Sequence, residues 1–332
     1  MKQMKIAVLI DKKLRSKLFS AKSVEYLSRL GEVVFNKTEG YDEDVMKSLL
    51  KDADIAITSW GSPRITGELL EVAPNLKLVA HAAGSVKGIV SEELYKKGIK
   101  VSSCACELSR GVSEMAMGLA IASAKNIFAF NDMIHSGKWP EDKSSANELY
   151  DINIGVVGCG FAGAHFVELL QNYGVNVMVY DPGRSKEYIE ALGARKVELD
   201  EIFKESDILS LHAPSIDSTY HMVNEKTLSM MKQNAILINT ARGSLIDEKA
   251  LAECMMKGKL KYACLDVTDP EPPAEDNPLR KIPNCIFTPH VAGLANNGQL
   301  KIGRHVCEEI ERFESGKQLN SEVTWEMLST IA

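Results

Sequence analysis

Three side chains in the second half of the chain have the types needed for acid–base chemistry on a small acid. Arg242, in LINTARGSLID, carries a planar guanidinium that can hold a carboxylate by two parallel hydrogen bonds. His290, in IFTPHVAG, can take up and return a proton near neutral pH. Glu271, in DVTDPEPP, would stabilise the imidazolium and hold one tautomer. Besides a hydride acceptor, the oxidation of a 2-hydroxy acid requires such a cation, a base and a partner for the base.

A glycine-rich turn, GCGFAG at residues 158–163, is a candidate site for that hydride acceptor. Gly158 permits a tight turn, Gly160 lets the backbone approach a pyrophosphate, and Gly163 allows close packing of a helix on a strand. The motif alone is weak evidence. Here it follows a predicted strand, INIGVVG, and opens a predicted helix, which is the context that a dinucleotide site requires.

An acidic residue follows at the distance expected for a ribose contact. Asp181 ends the next predicted strand, VNVMVYD, and its carboxylate would accept hydrogen bonds from adenosine ribose hydroxyls and repel a 2′-phosphate. This favours NAD over NADP, although Arg184 lies close by and is the residue type that a 2′-phosphate site uses. A glycine turn with a helix-capping aspartate is the structural alternative.

The elements around these residues alternate between strands and helices. Apolar runs such as KIAVLI, DIAITS and LKLVAHAA, and again AILINTA, KYACLDV and NCIFTPH, predict buried parallel strands with amphipathic helices between them. We therefore expect an α/β protein with two doubly wound parallel-sheet domains. Residues 1–112 and 298–332 are assigned to one domain and 113–297 to the other. Arg242, Glu271 and His290 all follow strands of the second sheet, and ligands bind at that edge.

Two helices mark the passages between the domains. A long helix is expected over roughly residues 112–135, followed by a polar loop, SGKWPEDKSSANELYD. The last helix carries Ile302, Val306 and Ile310 on one face but has no further sheet of its own to cover. We therefore expect this helix to return to the first domain.

Composition excludes several classes of protein. The 332 residues are 45% apolar and 25% charged, with a formal net charge of −6, so nothing favours nucleic acid or an anionic membrane as a partner. No apolar stretch approaches the ~18 residues that cross a bilayer, and MKQMKIAVLI is typical of a first strand, so a cytoplasmic protein is expected. The seven cysteines include no Cys-x-x-Cys pair, which predicts reduced thiols and no metal.

The chain resembles the D-isomer-specific 2-hydroxyacid dehydrogenases over nearly its whole length. The stretches that carry the resemblance are ELYDINIGVVGCGFAG, LHAPSIDST, LINTARGSLIDEKAL, LDVTDPEPP and TPHVAG. The spacing agrees as well, because Glu271 follows Arg242 by 29 residues and His290 follows Glu271 by 19. The resemblance implies a Rossmann cofactor domain, a flavodoxin-like substrate domain, a cleft between them and a homodimer supported by the helix around 114–135.

The resemblance also implies roles for individual residues. With NAD as cofactor and a small 2-hydroxy or 2-keto acid as substrate, Arg242 would bind the carboxylate, His290 would be the acid/base and Glu271 its charged partner. Asp266 would contact the carboxamide, and the amides of Ser85 and Val86 would complete the carboxylate cradle. The remaining cofactor contacts would come from Gly158, Gly160, Phe161, Ala162, Gly163, Asp181, Ala213, Thr240 and Ala241.

Some features depart from the family pattern, and two alternatives stay open. Leu108 stands where relatives often carry Asn, and TSWGSPRIT lacks the arginine placement associated with phosphate-carrying substrates, although Arg64 is near. One alternative is a formate or phosphite dehydrogenase on the same scaffold, of which Glu271 argues against formate. The other is a dinucleotide-sensing protein resembling the corepressors of this fold, which turnover of a 2-keto acid would exclude.

Overall fold

The computed structural model describes residues 3–331 and divides the chain into two units. The first unit contains the chain up to Leu108 and again from Leu294 onward, and the second contains Ser109–Gly293. The chain therefore leaves the first unit once and returns to it once.

A parallel sheet forms the centre of the first unit. Its strands are β1 (Lys5–Val8), β2 (Glu32–Phe35), β3 (Ile55–Thr58), β4 (Leu78–His81) and β5 (Lys100–Ser103). They lie in the order β2-β1-β3-β4-β5, which is the flavodoxin-like order. Every residue of β3 and β4 is buried, as expected for strands covered on both faces. The helices between the strands are α1 (Lys12–Leu18), α2 (Ala21–Leu30), α3 (Glu43–Leu50), α4 (Gly67–Glu71) and α5 (Glu92–Lys96).

The second unit contains a seven-stranded parallel sheet. Its strands are β6 (Tyr150–Val157), β7 (Gly174–Tyr180), β8 (Arg195–Lys196), β9 (Ile208–Leu211), β10 (Ala235–Asn239), β11 (Leu260–Leu265) and β12 (Cys285–Phe287). Their order is β12-β11-β10-β9-β6-β7-β8. Counted from β6, this is the Rossmann order 3-2-1-4-5-6 with one further strand at the edge. The predicted fold class of two doubly wound α/β domains is confirmed.

Helices surround this second sheet. They are α6 (Ala105–Ala124), α7 (Ile127–His135), α8 (Phe161–Leu170), α9 (Lys186–Ala191), α10 (Leu199–Glu205), α11 (Glu225–Met230) and α12 (Glu248–Met256). Short 3₁₀ turns occur at Asp217–Thr219, Gly243–Leu245, Pro278–Lys281 and, in the first unit, Glu326–Ser329. Helix α6 begins in the first unit and continues into the second. Within residues 3–331, none of the helices is long and apolar enough to cross a membrane.

The prediction of one helix over 112–135 was wrong. Helix α6 begins earlier, at Ala105, and α7 starts only after a break at Asn126, which has a left-handed φ of 58°. The Asn126 side chain donates to Ser145 Oγ at 2.9 Å and accepts from Tyr262 Oη at 2.8 Å. Tertiary hydrogen bonds therefore stabilise a break that helical periodicity does not show.

The last helix, α13 (Gln299–Glu314), packs on the first unit. Its predicted apolar face is buried, since Ile302, Val306 and Ile310 join the core that contains strand β1 residues such as Ile6 and Val8. An amphipathic helix gains most of its stability from such burial. The first unit is thus completed by a segment that follows the whole second unit in the sequence.

Candidate active site

The glycine-rich turn lies between β6 and α8 and has no room for side chains at two of its glycines. Gly158 has a φ of +93°, and a Cβ there would lie 2.7 Å from the backbone nitrogen of Ala213. A Cβ on Gly163 would lie 2.0 Å from the carbonyl oxygen of Gly158. By contrast, no atom lies within 4 Å of the position that a Cβ on Gly160 would take. The turn is tightly packed on its protein side and open at Gly160.

This open side fits a dinucleotide pyrophosphate. Phe161 and Ala162 are in the first turn of α8, where backbone amides have no partner within the helix. Free amides at a helix N-terminus attract anions, and the helix dipole adds to that attraction. The backbone amides of Phe161 and Ala162, two of the predicted cofactor contacts, therefore lie beside the open space at Gly160, where they can donate to a pyrophosphate.

Asp181 follows β7 and is bonded to the same turn. Its Oδ2 accepts from the Cys159 amide at 2.6 Å, and its Oδ1 accepts from the Gly183 amide at 2.8 Å. Arg184 Nε donates to the Cys159 carbonyl at 3.2 Å, and the guanidinium lies 5.1 Å from the centroid of the Tyr188 ring. Each carboxylate oxygen has lone pairs left for ribose hydroxyls.

Arg242 follows β10 on a turn that its neighbours hold. Buried Asn239 donates through Nδ2 to the Arg242 carbonyl at 2.8 Å and accepts from the Ala241 amide at 3.0 Å. The guanidinium donates through Nη1 to the Ala241 carbonyl at 2.6 Å. Burial lowers the pKa of Arg242 from its ordinary value, and the charge of Glu271 raises it. Arginine stays protonated in proteins, so a half-buried cation lies close to Glu271.

Glu271 and His290 form a direct pair. Glu271 Oε2 lies 2.7 Å from His290 Nδ1, and its Oε1 accepts from the Thr268 amide at 3.3 Å. Since an ionised carboxylate only accepts, Nδ1 carries the hydrogen and Nε2 is left as the basic nitrogen of a neutral ring. The side chains are 50% exposed for His290 and 38% for Glu271, so both can be reached from solvent.

Asp266, at the end of β11, holds the loop that carries His290. It is only 1% exposed, and its carboxylate accepts from Thr288 Oγ1 at 2.5 Å and from the amides of Val291 at 3.0 Å and Ala292 at 2.9 Å. Its carbonyl accepts from the His290 amide at 2.9 Å. His290 has a φ of +51°, an unfavourable value for a residue with a side chain, so the surrounding bonds must enforce it.

One buried hydroxyl among the predicted cofactor residues has no protein partner. Thr240 is buried, and its Oγ1 is one of two buried side-chain polar atoms that lack a hydrogen bond within the described residues. A buried polar atom without a partner is costly. Thr240 and Ala241 follow β10, and Ala213 follows β9, the neighbouring strand. A ligand that supplies an acceptor or donor to Thr240 would remove that cost, which fits the nicotinamide half of NAD.

Ser85 and Val86 lie in the first unit, in the turn after β4. The Val86 carbonyl accepts from the amides of Ile89 at 2.8 Å and Val90 at 3.1 Å. Across residues 3–331, the amides of Ser85 and Val86 themselves donate to no protein acceptor. Arg64 is bonded to this segment, because its Nε donates to the Val90 carbonyl at 2.8 Å. The turn thus presents two free amides, as a carboxylate site requires.

Several residues that position the site were not predicted from the sequence. Asn239 and Thr288 anchor the turns of Arg242 and His290. Glu248 accepts from the Asp269 amide at 3.0 Å and from Asn277 Nδ2 at 2.5 Å, which fixes the loop that carries Glu271. At Gly243, a Cβ would lie 2.0 Å from Thr268, so the two loops touch there. Asn239 is a polar residue at the end of a buried strand, and this is the one sequence feature that could have indicated an anchor for the Arg242 turn.

Comparison with known proteins gives the family. Residues 117–292 match the family model described as D-isomer specific 2-hydroxyacid dehydrogenase, NAD binding domain. D-3-phosphoglycerate dehydrogenase of Methanocaldococcus jannaschii is 35% identical over 296 residues, which cover 89% of this chain and 56% of that protein. Hydroxypyruvate reductase of Thermotoga maritima is 32% identical over 82% of this chain and 89% of its own length. This chain spans little more than half the length of its phosphoglycerate dehydrogenase relatives.

Solved structures agree with this result. The PH0520 protein of Pyrococcus horikoshii is 29% identical with a TM-score of 0.80, covering 99% of this chain and 97% of that one. D-lactate dehydrogenase with NAD+ from Lactobacillus jensenii is 25% identical with a TM-score of 0.80, covering 97% and 100%. The predicted family and the predicted NAD-binding fold are confirmed. The chain belongs to the D-isomer-specific 2-hydroxyacid dehydrogenase family, and its second unit contains the NAD-binding domain of that family.

Proposed function

We propose that this protein is an NAD-dependent dehydrogenase that moves a hydride between NAD(H) and a small D-2-hydroxy or 2-keto acid. The observation that carries the proposal is the 2.7 Å pair of His290 and Glu271, with the Arg242 cation close to Glu271, at one edge of the NAD-binding sheet. Relatives named hydroxypyruvate reductase and glyoxylate reductase support this substrate class.

Arg242, His290 and Glu271 each have a different role in the proposed reaction. Hydride acceptance is the chemistry that bound NAD supplies. Arg242 holds the substrate carboxylate and orients the carbon that carries the hydroxyl. His290 takes the hydroxyl proton on Nε2 in the oxidation and returns it in the reduction. Glu271 stabilises the imidazolium that forms in between, because it accepts the hydrogen bond from Nδ1.

The proposed cofactor contacts lie in one domain, and further substrate contacts lie in the other. We assign 113–297 as the NAD-binding domain, where the amides of Phe161 and Ala162 hold the pyrophosphate and Asp181 binds the ribose. Residues 1–112 and 298–332 form the substrate domain, and we assign the free amides of Ser85 and Val86 to the binding of the substrate carboxylate. Asp266, Thr240, Ala241 and Ala213 surround the nicotinamide.

A homodimer is part of this proposal. Helix α7 has no buried residue, and its apolar side chains Ile127 and Ile134 are exposed, followed by Trp139 at 75% exposure. Apolar residues exposed in such density are typical of an interface between subunits. The second copy is expected to cover them.

The experiment that tests the proposal replaces Arg242. Purified protein with NADH is offered glyoxylate, hydroxypyruvate, pyruvate, branched 2-keto acids and 3-phosphohydroxypyruvate, and we expect turnover of at least one. For Arg242→Ala, kcat/KM should fall by about 100-fold or more, mainly through KM, because two charge-assisted hydrogen bonds of about 1.5–3 kcal/mol are lost. Binding of NADH should not change, since Arg242 is assigned to the substrate.

The control is Lys249→Ala, which removes an exposed cation from α12 and should leave kcat/KM unchanged. Tight binding of NADH without turnover of any acid in the panel would favour the dinucleotide-sensing alternative. An unchanged KM in Arg242→Ala would remove Arg242 from the substrate site.

A further inference from the structure

A second group of ligand-type side chains lies in the first unit, which carries none of Arg242, Glu271 and His290. Cys106 and Glu107 are in the first turn of α6, and His305 is in α13. Sγ of Cys106 lies 3.8 Å from Nε2 of His305, and Nδ1 of His305 lies 4.0 Å from Oε1 of Glu107. One ligand atom from each residue lies within 4.8 Å of the other two.

Hydrogen bonds on the far side of His305 determine which ring nitrogen is free. The buried Glu309 carboxylate accepts from Ser321 Oγ at 2.9 Å and from the amides of Asn320 and Ser321 at 2.9 and 3.0 Å. Because the Ser321 hydroxyl has one hydrogen and gives it to Glu309, Nε2 of His305 must donate to Ser321 Oγ, 2.8 Å away. If the ring is neutral, Nδ1 is the unprotonated nitrogen, and it lies 4.0 Å from Oε1 of Glu107.

This arrangement places two hydrogen-bond acceptors opposite one another. A lone pair on Nδ1 faces the Glu107 carboxylate, which also only accepts hydrogen bonds, and the Cys106 sulfur is beside them. The nearby cation, Arg304, donates through Nε to Glu308 at 2.8 Å. Two facing acceptors at this distance are compatible when a water molecule donates to both, when His305 carries a second proton, or when a cation binds both.

The residue types favour a metal ion. Thiolate, imidazole and carboxylate are the three ligands that proteins use for zinc, at about 2.0–2.3 Å from the ion. Atoms at such distances from one ion in a tetrahedron are about 3.5 Å apart. Nδ1 of His305 and Oε1 of Glu107, at 4.0 Å, exceed this by only a few tenths of an ångström, and one ligand atom of each of the three residues lies within 4.8 Å of the other two. His305 is 7% exposed, whereas Cys106 and Glu107 are half-buried, so water can reach the ligands from one side.

We propose that Cys106, Glu107 and Nδ1 of His305 bind one divalent ion of the zinc class, with water as the fourth ligand. The Cys106 thiol releases its proton to solvent when the metal–sulfur bond forms. The Ser321–Glu309 chain fixes the ring of His305 from behind, which is the usual arrangement for a ligating histidine.

The place of the site in the chain gives the ion a structural role. Cys106 and Glu107 are among the last residues of the first unit before the chain enters the second, and His305 follows the return at Leu294. An ion bound here would join the start of α6 to α13, and so tie together the two segments by which the first unit is closed. Binding to the folded state alone raises the stability of that unit.

The test uses the full-length chain after treatment with a chelator. Zn²⁺ is titrated in competition with a chromophoric chelator, and Co²⁺ is added as a spectroscopic substitute. We expect one ion per chain, a thiolate-to-cobalt charge-transfer band and a higher Tm with Zn²⁺. In Cys106→Ser the band should be lost and the affinity for Zn²⁺ should fall at least about tenfold. Cys254→Ser, which removes a thiol on α12 in the second unit, is the control and should keep both.

A second variant guards against misfolding. Glu107→Gln changes a partly exposed side chain at nearly constant volume, and should weaken Zn²⁺ binding about tenfold while the cobalt–thiolate band remains. The proposal is overturned if the native chain shows no cobalt–thiolate band, or if Cys106→Ser and Glu107→Gln bind Zn²⁺ as the native chain does. The group would then be an ion pair between protonated His305 and Glu107. NADH binding by the second unit is measured in parallel, because its loss would concern the proposed function and not this site.

Discussion

Two histidines at the carboxyl ends of parallel strands have opposite surroundings. His290, after β12, is half exposed and bonded to the Glu271 carboxylate. His81, the last residue of β4, is 2% exposed, and its Nδ1 lies 2.9 Å from Thr58 Oγ1. Burial lowers the pKa of His81 to about 4, although a hydrogen bond with the Ser85 backbone opposes the shift. The position after a strand is therefore not enough for acid–base catalysis, which also needs access and a charged partner.

The largest effect is expected when the exposed histidine is replaced. His290→Asn removes the proposed proton donor and should lower kcat for keto-acid reduction by about 10²–10⁴-fold. NADH binding should be unaffected. Lys249→Ala, which changes an exposed side chain on α12, is the control and should behave as the native enzyme. Steady-state kinetics with NADH binding by fluorescence measures both. Retention of kcat in His290→Asn would show that the comparison assigns the roles wrongly.

The buried histidine should control stability at acid pH. Its folded pKa of about 4 is below the ordinary value of 6.5, so between these values the unfolded chain binds a proton that the folded chain does not. Stability therefore falls as the pH falls through this range, by about 2 kcal/mol from pH 7 to pH 5 for this one group. Urea unfolding of the native chain and of His81→Asn at both pH values measures it.

The His81 variant isolates the contribution of His81, because burial also lowers the pKa of His212 to about 4 and His212 is unchanged in the variant. The variant cannot titrate at this position, so its free energy of unfolding should drop by about 2 kcal/mol less than that of the native chain over the same pH range. His135→Asn should leave the native pH dependence unchanged. Equal slopes for native protein and His81→Asn would mean that His81 has the same pKa in the folded and unfolded states.

A smaller effect is expected from the partner of the exposed histidine. Glu271→Gln keeps the shape but removes the charge that stabilises the imidazolium, so kcat/KM should fall about tenfold. Steady-state kinetics of keto-acid reduction measures this loss, and NADH binding should stay unchanged. Glu275→Gln, exposed in the same loop, is the matched control. An unchanged kcat/KM in Glu271→Gln would separate Glu271 from the acid–base step.

Much of the fold can be predicted from local patterns. Apolar runs bounded by turn residues indicate buried strands, and β3 and β4 are examples in which every residue is buried. The break at Asn126 could not be predicted, because its hydrogen bonds go to Ser145 and Tyr262, which are distant in the sequence. Helical periodicity continues through such a residue, and only the tertiary contacts determine where α6 ends.

In the candidate site, too, contacts between residues that are distant in the sequence could not be predicted from local patterns. Arg242, Glu271 and His290 are found from residue type, motif and position after strands, and the structure brings Glu271 and His290 to 2.7 Å. The role of Asp266 in holding the His290 loop does not follow from the sequence, since it depends on a buried carboxylate that meets Thr288 and two amides.

The sequence by itself determined the alternation of strands and helices, the glycine turn and the residue types at the strand ends, because these depend on periodicity and on local backbone sterics. Only the tertiary structure decided which groups touch. Cys106 and His305 are 199 residues apart and become neighbours because α13 returns to the first unit. His81 and His290 differ because burial and a charged neighbour are properties of the folded chain, and both change the relative stability of the neutral and the charged imidazole.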